Sequence, residues 1–203
     1  MTTTDTVTDP VPELVVLLDE EGHAVGTADK ATVHHADTPL HLAFSVYLFD
    51  PEGRVLVSQR APSKKTFPGV WTNSCCGHPA PGERLEDAVR RRVGQELGAE
   101  VTDLELVLPR FRYRAEQAGV VENEMCPVFV GRVEGTLSPD PTEVGDVRWE
   151  PWTDFRAAVL TGSEVVSAWC REQVQQLPEH PLDTAGAAVH DELPSAARVG
   201  LGS

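Results

Sequence analysis

Apolar positions fall mostly in short continuous or alternating runs, with few long helical stripes. Glu13-Leu-Val-Val-Leu-Leu-Asp19 reads as a strand, Glu20-Glu21-Gly22 as a turn, and Ala24-Val25-Gly26 as a short return. Leu42-Ala-Phe-Ser-Val-Tyr-Leu-Phe49, the turn Asp50-Pro-Glu-Gly53 and Arg54-Val-Leu-Val-Ser-Gln59 predict a hairpin. Residues 61–84 carry four prolines and three glycines and read as one long loop. Loops of that length are uncommon in compact domains, and many of them are functional. A helix is predicted over 83–97, where Leu85, Val89, Val93 and Leu97 recur every fourth residue, and Gly98 is a suitable stop. Further strands are predicted over 101–108, 110–114, 128–133 and 147–149, and helices over 153–160 and 164–176. From Pro178 the composition turns to Pro, Ala, Gly and scattered charge without a period, so 178–203 reads as a mobile tail and 1–12 as a flexible arm. A mixed sheet with few helices, one of them behind a Gly/Pro-rich loop, predicts an α/β (α+β) domain over 13–177.

Composition narrows the class. A chain of 203 residues allows one core of ordinary size, and no stretch approaches the roughly 20 apolar residues that span a bilayer. Met1 to Pro12 lacks the basic and apolar regions of a secretory signal, which points to the cytoplasm. With 17 basic against 32 acidic residues the net charge is −15, a poor balance for non-specific nucleic-acid binding, which depends on Lys and Arg neutralising phosphates. An anionic ligand would need a local basic cluster or a metal. Cys75, Cys76, Cys126 and Cys170 form no C-x-x-C pair and are expected as free thiols, a residue type that more often packs than reacts.

Five side chains suit a divalent ion: His34, His41, His78, Glu122 and Glu124. Glu122 and Glu124 are two apart, so an extended segment points both carboxylates to one face. Taken alone, separated histidines and a solvated acidic edge account for the same residues, and no H-E-x-x-H pattern is present. Gly77-His-Pro-Ala-Pro-Gly-Glu83 followed by Arg91-Arg-Val-Gly-Gln-Glu-Leu-Gly98 shifts the balance, because it resembles a Nudix box. The match is incomplete: Arg92 and Gln95 stand where that box has glutamates, and Glu96 alone remains of its three later carboxylates. Hydrolysis of diphosphates depends on that carboxylate cluster, so the replacements argue against it.

Around the broken box the chain resembles the type 1 isopentenyl-diphosphate isomerase family. The resemblance rests on Thr38-Pro-Leu-His-Leu-Ala-Phe-Ser45, Arg60-Ala-Pro-Ser-Lys-Lys65, Pro68-Gly-Val-Trp-Thr-Asn-Ser-Cys-Cys-Gly-His-Pro79, Phe111-Arg-Tyr-Arg114 and Val121-Glu-Asn-Glu-Met-Cys-Pro127, in that order. It implies a Nudix-like mixed β-sheet sandwich flanked by helices, acting on a small-molecule diphosphate. It also implies Cys76 and Glu124 as the acid–base pair on opposite faces of the substrate, with Tyr113 bonded to Glu124. Further implications are a divalent ion (Mn²⁺, Mg²⁺ or Zn²⁺) on His34, His41, His78, Glu122 and Glu124, and Mg²⁺ arriving with the diphosphate at Glu96. Counting from the motif favours His34 over His35. Arg60, Lys64 and Arg92 are the candidate phosphate cations. Trp169 is nominated to face a carbocation, with an ordinary core tryptophan as the alternative. A Nudix diphosphatase and a non-catalytic binding module are the rival readings. A monomer is the default expectation, and the order of proton transfers between Cys76 and Glu124 stays open.

Overall fold

The computed structural model describes residues 13–183 and 190–200. Its strands are β1 (Leu14–Leu18), β2 (Ala24–Asp29), β3 (His41–Leu42), β4 (Phe44–Phe49), β5 (Arg54–Arg60), β6 (Trp71–Thr72), β7 (Cys75–Gly77), β8 (Val101–Leu108), β9 (Arg112–Gln117), β10 (Val120–Met125), β11 (Val128–Val133) and β12 (Val144–Pro151). Its α-helices are α1 (Leu85–Leu97), α2 (Trp152–Thr161) and α3 (Ala168–Gln176). One sheet has the order β2-β1-β3-β10-β9 and the other β12-β5-β4-β11-β8, with β6 added beside β5 and β7 beside β4.

The chain passes between the sheets at two neighbouring points. Only Ala43 separates β3 from β4, and only Cys126 and Pro127 separate β10 from β11. Both passages are parallel partners, β3 with β10 and β4 with β11, so each sheet carries one parallel pair among antiparallel ones. The Ala43 N–H donates to the Met125 carbonyl at 2.9 Å, and the Ser45 N–H to that of Pro127 at 3.1 Å. Strand β4 is buried on both faces, which explains why it is apolar at every position but Ser45 and does not alternate. Phe44, Val46 and Leu48 pack with the stripe Leu85, Val89, Val93 and Leu97 of α1, while Tyr47 and Phe49 join Trp152, Phe155 and Trp169 on the other side.

Helix α1 ends as its pattern predicts: Gly98 adopts φ 62°, and its N–H returns to the Gly94 carbonyl at 3.2 Å. Three expectations need correction. The loop 61–84 contains β6 and β7, runs too short for an alternation to register. The last helix begins at Ala168 and not at 164, because the Ser167 hydroxyl caps it by accepting the Cys170 N–H at 3.2 Å. The tail expected to be mobile over 178–203 docks where it is described. Leu193 and Ala197 are buried, the Ala196 N–H bonds the Gly22 carbonyl at 3.1 Å, and Arg110 Nε donates to the Glu192 carbonyl at 2.8 Å. Leu193, Pro194 and Ala197 are too few to leave a period to read. The arm over 1–12 lies outside the described residues.

Leu193→Ala should therefore loosen 190–200 specifically. A loss of about 2 kcal/mol accelerates amide exchange in that segment roughly thirtyfold. Hydrogen-exchange mass spectrometry should show the change there and little in α1.

Candidate active site

A cleft of about 900 Å³ opens between the sheets, lined by Cys76, His78, Tyr113, Glu122, Glu124 and Trp169 at its inner end and by Lys30, Arg60, Lys64, Arg92, Glu96 and Glu143 among others. Backbone register supplies part of it directly. Glu124 on β10 lies opposite both His41 on β3 and Tyr113 on β9. Cys76 on β7 lies opposite Ser45 on β4 in the other sheet. Cys76 and Glu124 thus reach one cleft from different sheets.

His34 comes from the irregular segment between β2 and β3. The Thr38 hydroxyl holds this segment by donating to the Val121 carbonyl at 2.6 Å and accepting the His35 N–H at 2.8 Å. His78 follows β7 directly. Ligand atoms of His34, His41, His78 and Glu124 all lie within 4.8 Å of one another. His35 stays outside that group, its Nδ1 accepting the Asp37 N–H at 3.1 Å. Glu122 also stays outside it, so four of the five expected ligands converge: its Oε2 is 2.9 Å from the Tyr113 hydroxyl, and its Oε1 is 4.0 Å from Arg60.

The donor set fits a metal ion. His41 is fully buried, and its Nδ1 donates to the Pro39 carbonyl at 2.9 Å, which leaves the Nε2 lone pair facing Glu124 Oε1 at 3.4 Å. His41 Nε2 and His34 Nε2 are buried without a hydrogen-bond partner. Lone pairs aimed at a carboxylate oxygen repel it unless a cation lies between them. These residues therefore form a group that could hold a metal ion.

Electrostatics separates the titratable groups. Burial pushes the Cys76 thiol up to about 12 and the His78 imidazole down to about 4. Burial also raises Glu124, but the three imidazoles gathered around it, His78 within hydrogen-bond distance at 3.0 Å, outweigh it and hold that carboxyl well below the usual range. Glu122 is raised by burial and by the nearby Glu124 charge. The Tyr113 hydroxyl spans the two carboxylates, 2.8 Å from Glu124 Oε2 and 2.9 Å from Glu122 Oε2.

The expected phosphate cations line the cleft, each engaged by the protein. Arg60 donates to Thr66 and sits 5.8 Å from the centre of the Trp169 ring. Lys64 is paired with Glu143. Arg92 is paired with Glu96 one turn on, and its Nη2 is 3.4 Å from Glu143. Sequence reasoning missed Lys30, which is paired with Glu13 at 2.6 Å, and Glu143 itself. It also missed Asn73 and Ser45, which hold the thiol. Lys30 and Glu143 lie in stretches without a motif, and nothing in the pattern marks them. Asn73 lies within the Pro68–Pro79 motif, where an asparagine carries no chemistry of its own to mark it beside the cysteine and the histidine.

In the surviving part of the box, Glu83 accepts the Ala80 N–H at 2.7 Å and two hydrogen bonds from Arg91 at 2.7 Å, while Arg91 also reaches the His78 carbonyl at 3.2 Å. Glu83 is thus a structural clamp on the loop that carries His78.

The two-sheet fold and this loop–helix unit define a Nudix protein: the NUDIX domain model matches residues 39–170, and the chain belongs to that family. A solved structure from Deinococcus radiodurans shares the fold with a TM-score of 0.62 at 20% identity, covering 81% of this chain and 98% of that one. The MutT protein of Methanosarcina mazei does so with a TM-score of 0.54 at 20% identity, covering 68% and 92%. Much closer in sequence is the isopentenyl-diphosphate Delta-isomerase of Mycolicibacterium vanbaalenii, 60% identical over 180 residues, 88% of this chain and 96% of the relative. That of Saccharopolyspora erythraea is 53% identical over 193 residues, covering 94% and 100%. Within the Nudix family the chain belongs with the isopentenyl-diphosphate Delta-isomerases.

The clamp makes a pH-dependent prediction. Arg91 and the Ala80 N–H hold the Glu83 carboxyl below its ordinary 4.5 against the opposing effect of burial. Its stabilisation is present above that value and lost as pH falls through the lowered one. Glu83→Gln should cost about 1 kcal/mol at pH 7 and progressively less below pH 4.5. Urea unfolding at a series of pH values measures the difference.

Proposed function

We propose that this cleft interconverts isopentenyl diphosphate and dimethylallyl diphosphate by adding a proton at one carbon and removing one at another. The observation that carries this reading is the meeting of two proton carriers, Cys76 and Glu124, from different sheets in one cleft. The substrate alkene is a very weak base, so its protonation needs a positioned acid, a base on the other side and exclusion of water. The alkene π pair forms the new C–H bond at the terminal carbon. The C–H pair next to the diphosphate-bearing carbon forms the new double bond, and the net proton count is unchanged. The reaction is reversible, so each carrier gives up a proton in one direction and takes one in the other. Tyr113 couples Glu124 to Glu122 through its hydroxyl and thereby orients the Glu124 carboxyl. Trp169 presents an aromatic ring on which Arg60 already rests, a surface suited to a developing cation.

His34, His41, His78 and Glu124 would hold a divalent ion, Mn²⁺, Mg²⁺ or Zn²⁺, with Glu122, which shares the Tyr113 hydroxyl with Glu124, as the fifth expected ligand. Such an ion would fix the Glu124 carboxyl and favour its ionised form. Glu96 would take part in holding Mg²⁺ that accompanies the diphosphate. Arg60, Lys64 and Arg92 would grip the non-reacting diphosphate and spend its binding on alignment. Arg92 and Gln95 in place of two glutamates of the box, with Glu83 committed to Arg91, favour isomerisation over hydrolysis. We further propose a working unit over 13–177, acting as a cytoplasmic monomer on this small molecule without a nucleic-acid partner. The charge of −15 supports the last point, and no described helix is long and apolar enough to cross a membrane.

Incubation of the protein with isopentenyl diphosphate and Mg²⁺ in deuterated water should place label in the product methyl group, and a chelator should stop it. Phosphate release from nucleoside diphosphates in place of label would establish the hydrolase reading. Cys76→Ala should lower kcat by roughly 10²–10⁴-fold with metal content unchanged. His41→Ala should lose bound metal, so that its Tm no longer responds to the chelator. For the unsubstituted protein, ion at a hundred times its Kd adds about 2.7 kcal/mol.

A further inference from the structure

Asn73 lies in the two-residue link between β6 and β7, with no accessible surface. Its Nδ2 donates to the Val46 carbonyl at 3.1 Å and the Cys75 carbonyl at 2.9 Å. Both partners only accept, so the orientation of the amide is fixed by the fold. Oδ1 therefore faces three donors: the Thr72 hydroxyl at 2.9 Å, the Cys76 thiol at 3.2 Å and the Trp169 indole N–H at 3.1 Å. All three belong to residues that line the cleft, and two of them are the proposed proton carrier and the ring nominated to face the cation. Asn73 does not line it.

We propose that Asn73 is a positioning residue, its one carbonyl oxygen setting the Cys76 sulfur and the Trp169 ring at a fixed separation on the cleft wall. The inference rests on the isomerase reading of the cleft. An oxygen bonded to both groups holds them to a common point on a rigid strand connection, whereas two independent anchors would let the sulfur and the ring drift separately. A second tether runs from the same helix. Gln173 Nε2 donates to the Ser45 hydroxyl at 2.9 Å, and that hydroxyl lies 3.3 Å from Cys76 Sγ. Ser45 holds the thiol without bonding the indole, which leaves Asn73 as the group that couples the two. A misplacement of about 1 Å at a reacting group costs on the order of 10²-fold in rate.

The test compares Asn73→Ser and Asn73→Asp with the unsubstituted protein, measuring kcat and KM for isopentenyl diphosphate, bound metal, Tm and the ¹⁵N–¹H signal of the Trp169 indole. Asn73→Ser should lower kcat about 10²-fold and leave KM within about twofold, because Arg60, Lys64 and Arg92 are not among its partners. Metal content should stay unchanged and the indole signal should move. Asn73→Asp retains an acceptor oxygen at the shared position and, as a neutral carboxyl in this buried site, still donates to one of the two carbonyls that Nδ2 serves, so it should recover about tenfold of the lost kcat. Native kcat in Asn73→Ser, or equal loss of kcat in both variants with an unmoved indole signal, overturns the proposal. Should Asn73→Ser fail to fold, the indole N–H of the unsubstituted protein decides. Slow solvent exchange and a shift on Cys76→Ala support the shared acceptor, and rapid exchange or no shift overturns it. Absence of deuterium label with the unsubstituted protein sinks the isomerase reading separately, since the indole measurements do not depend on turnover.

Discussion

The structure depends on one constraint: the chain crosses from one sheet to the other twice, side by side, at Ala43 and at Cys126–Pro127. Two hydrogen bonds across that junction hold the crossings in register. On one side of it, His41 and Glu124 become direct partners in a parallel pair. On the other, Ser45 is placed beside Cys76. A slip of one residue at either crossing would turn these side chains to the opposite face. The apolar burial of β4 against α1 on one face and the aromatic cluster on the other makes such a slip costly. The core thus does more than stabilise: it sets the register that brings the two sheets' chemistry into one cleft.

The electrostatics of the cleft follow from the same economy. In a protein with a net charge of −15, several of the cations that line the cleft are held by carboxylates. Lys30 is paired with Glu13, Lys64 with Glu143, and Arg92 with Glu96. On the proposed reading an incoming diphosphate would compete with carboxylates already in place, and its binding would amount to an exchange of anions around fixed cations. That exchange lowers the cost of keeping arginine and lysine half-buried between substrates. It also disfavours ligands whose charge is too small to displace the resident carboxylates.

Much of this was legible in the sequence where a repeating spacing exists. The fourfold stripe of α1, the Phe44–Phe49 run with its turn, and the alternating glutamates of β10 each carry a period that names the element and its face. The resemblance in ordered motifs placed Cys76, Tyr113 and the imidazoles, and the structure gathers three of the histidines with Glu124. Glu122, the fifth expected ligand, faces the same cleft as Glu124 but sits farther from the imidazoles, because alternation specifies a face and not a distance along it. The strands β6 and β7 have two and three residues, too few for any period, and so were read as loop. The docked tail relies on isolated contacts with the Gly22 turn. Asn73 was hidden for a related reason: its importance lies in which atoms surround it after folding, and an asparagine in a glycine-rich stretch looks like a turn residue.

The four groups suited to an ion are unevenly mounted. His41 and Glu124 are joined through paired backbone, whereas His34 and His78 come from an irregular segment and from the end of a three-residue strand. Two of these four groups are thereby held stiffly and two compliantly. An ion held there could differ somewhat in radius, the two compliant imidazoles moving while the carboxylate keeps its place. The element found in purified protein should consequently reflect what the cell supplies during growth more than any strict choice made by the fold.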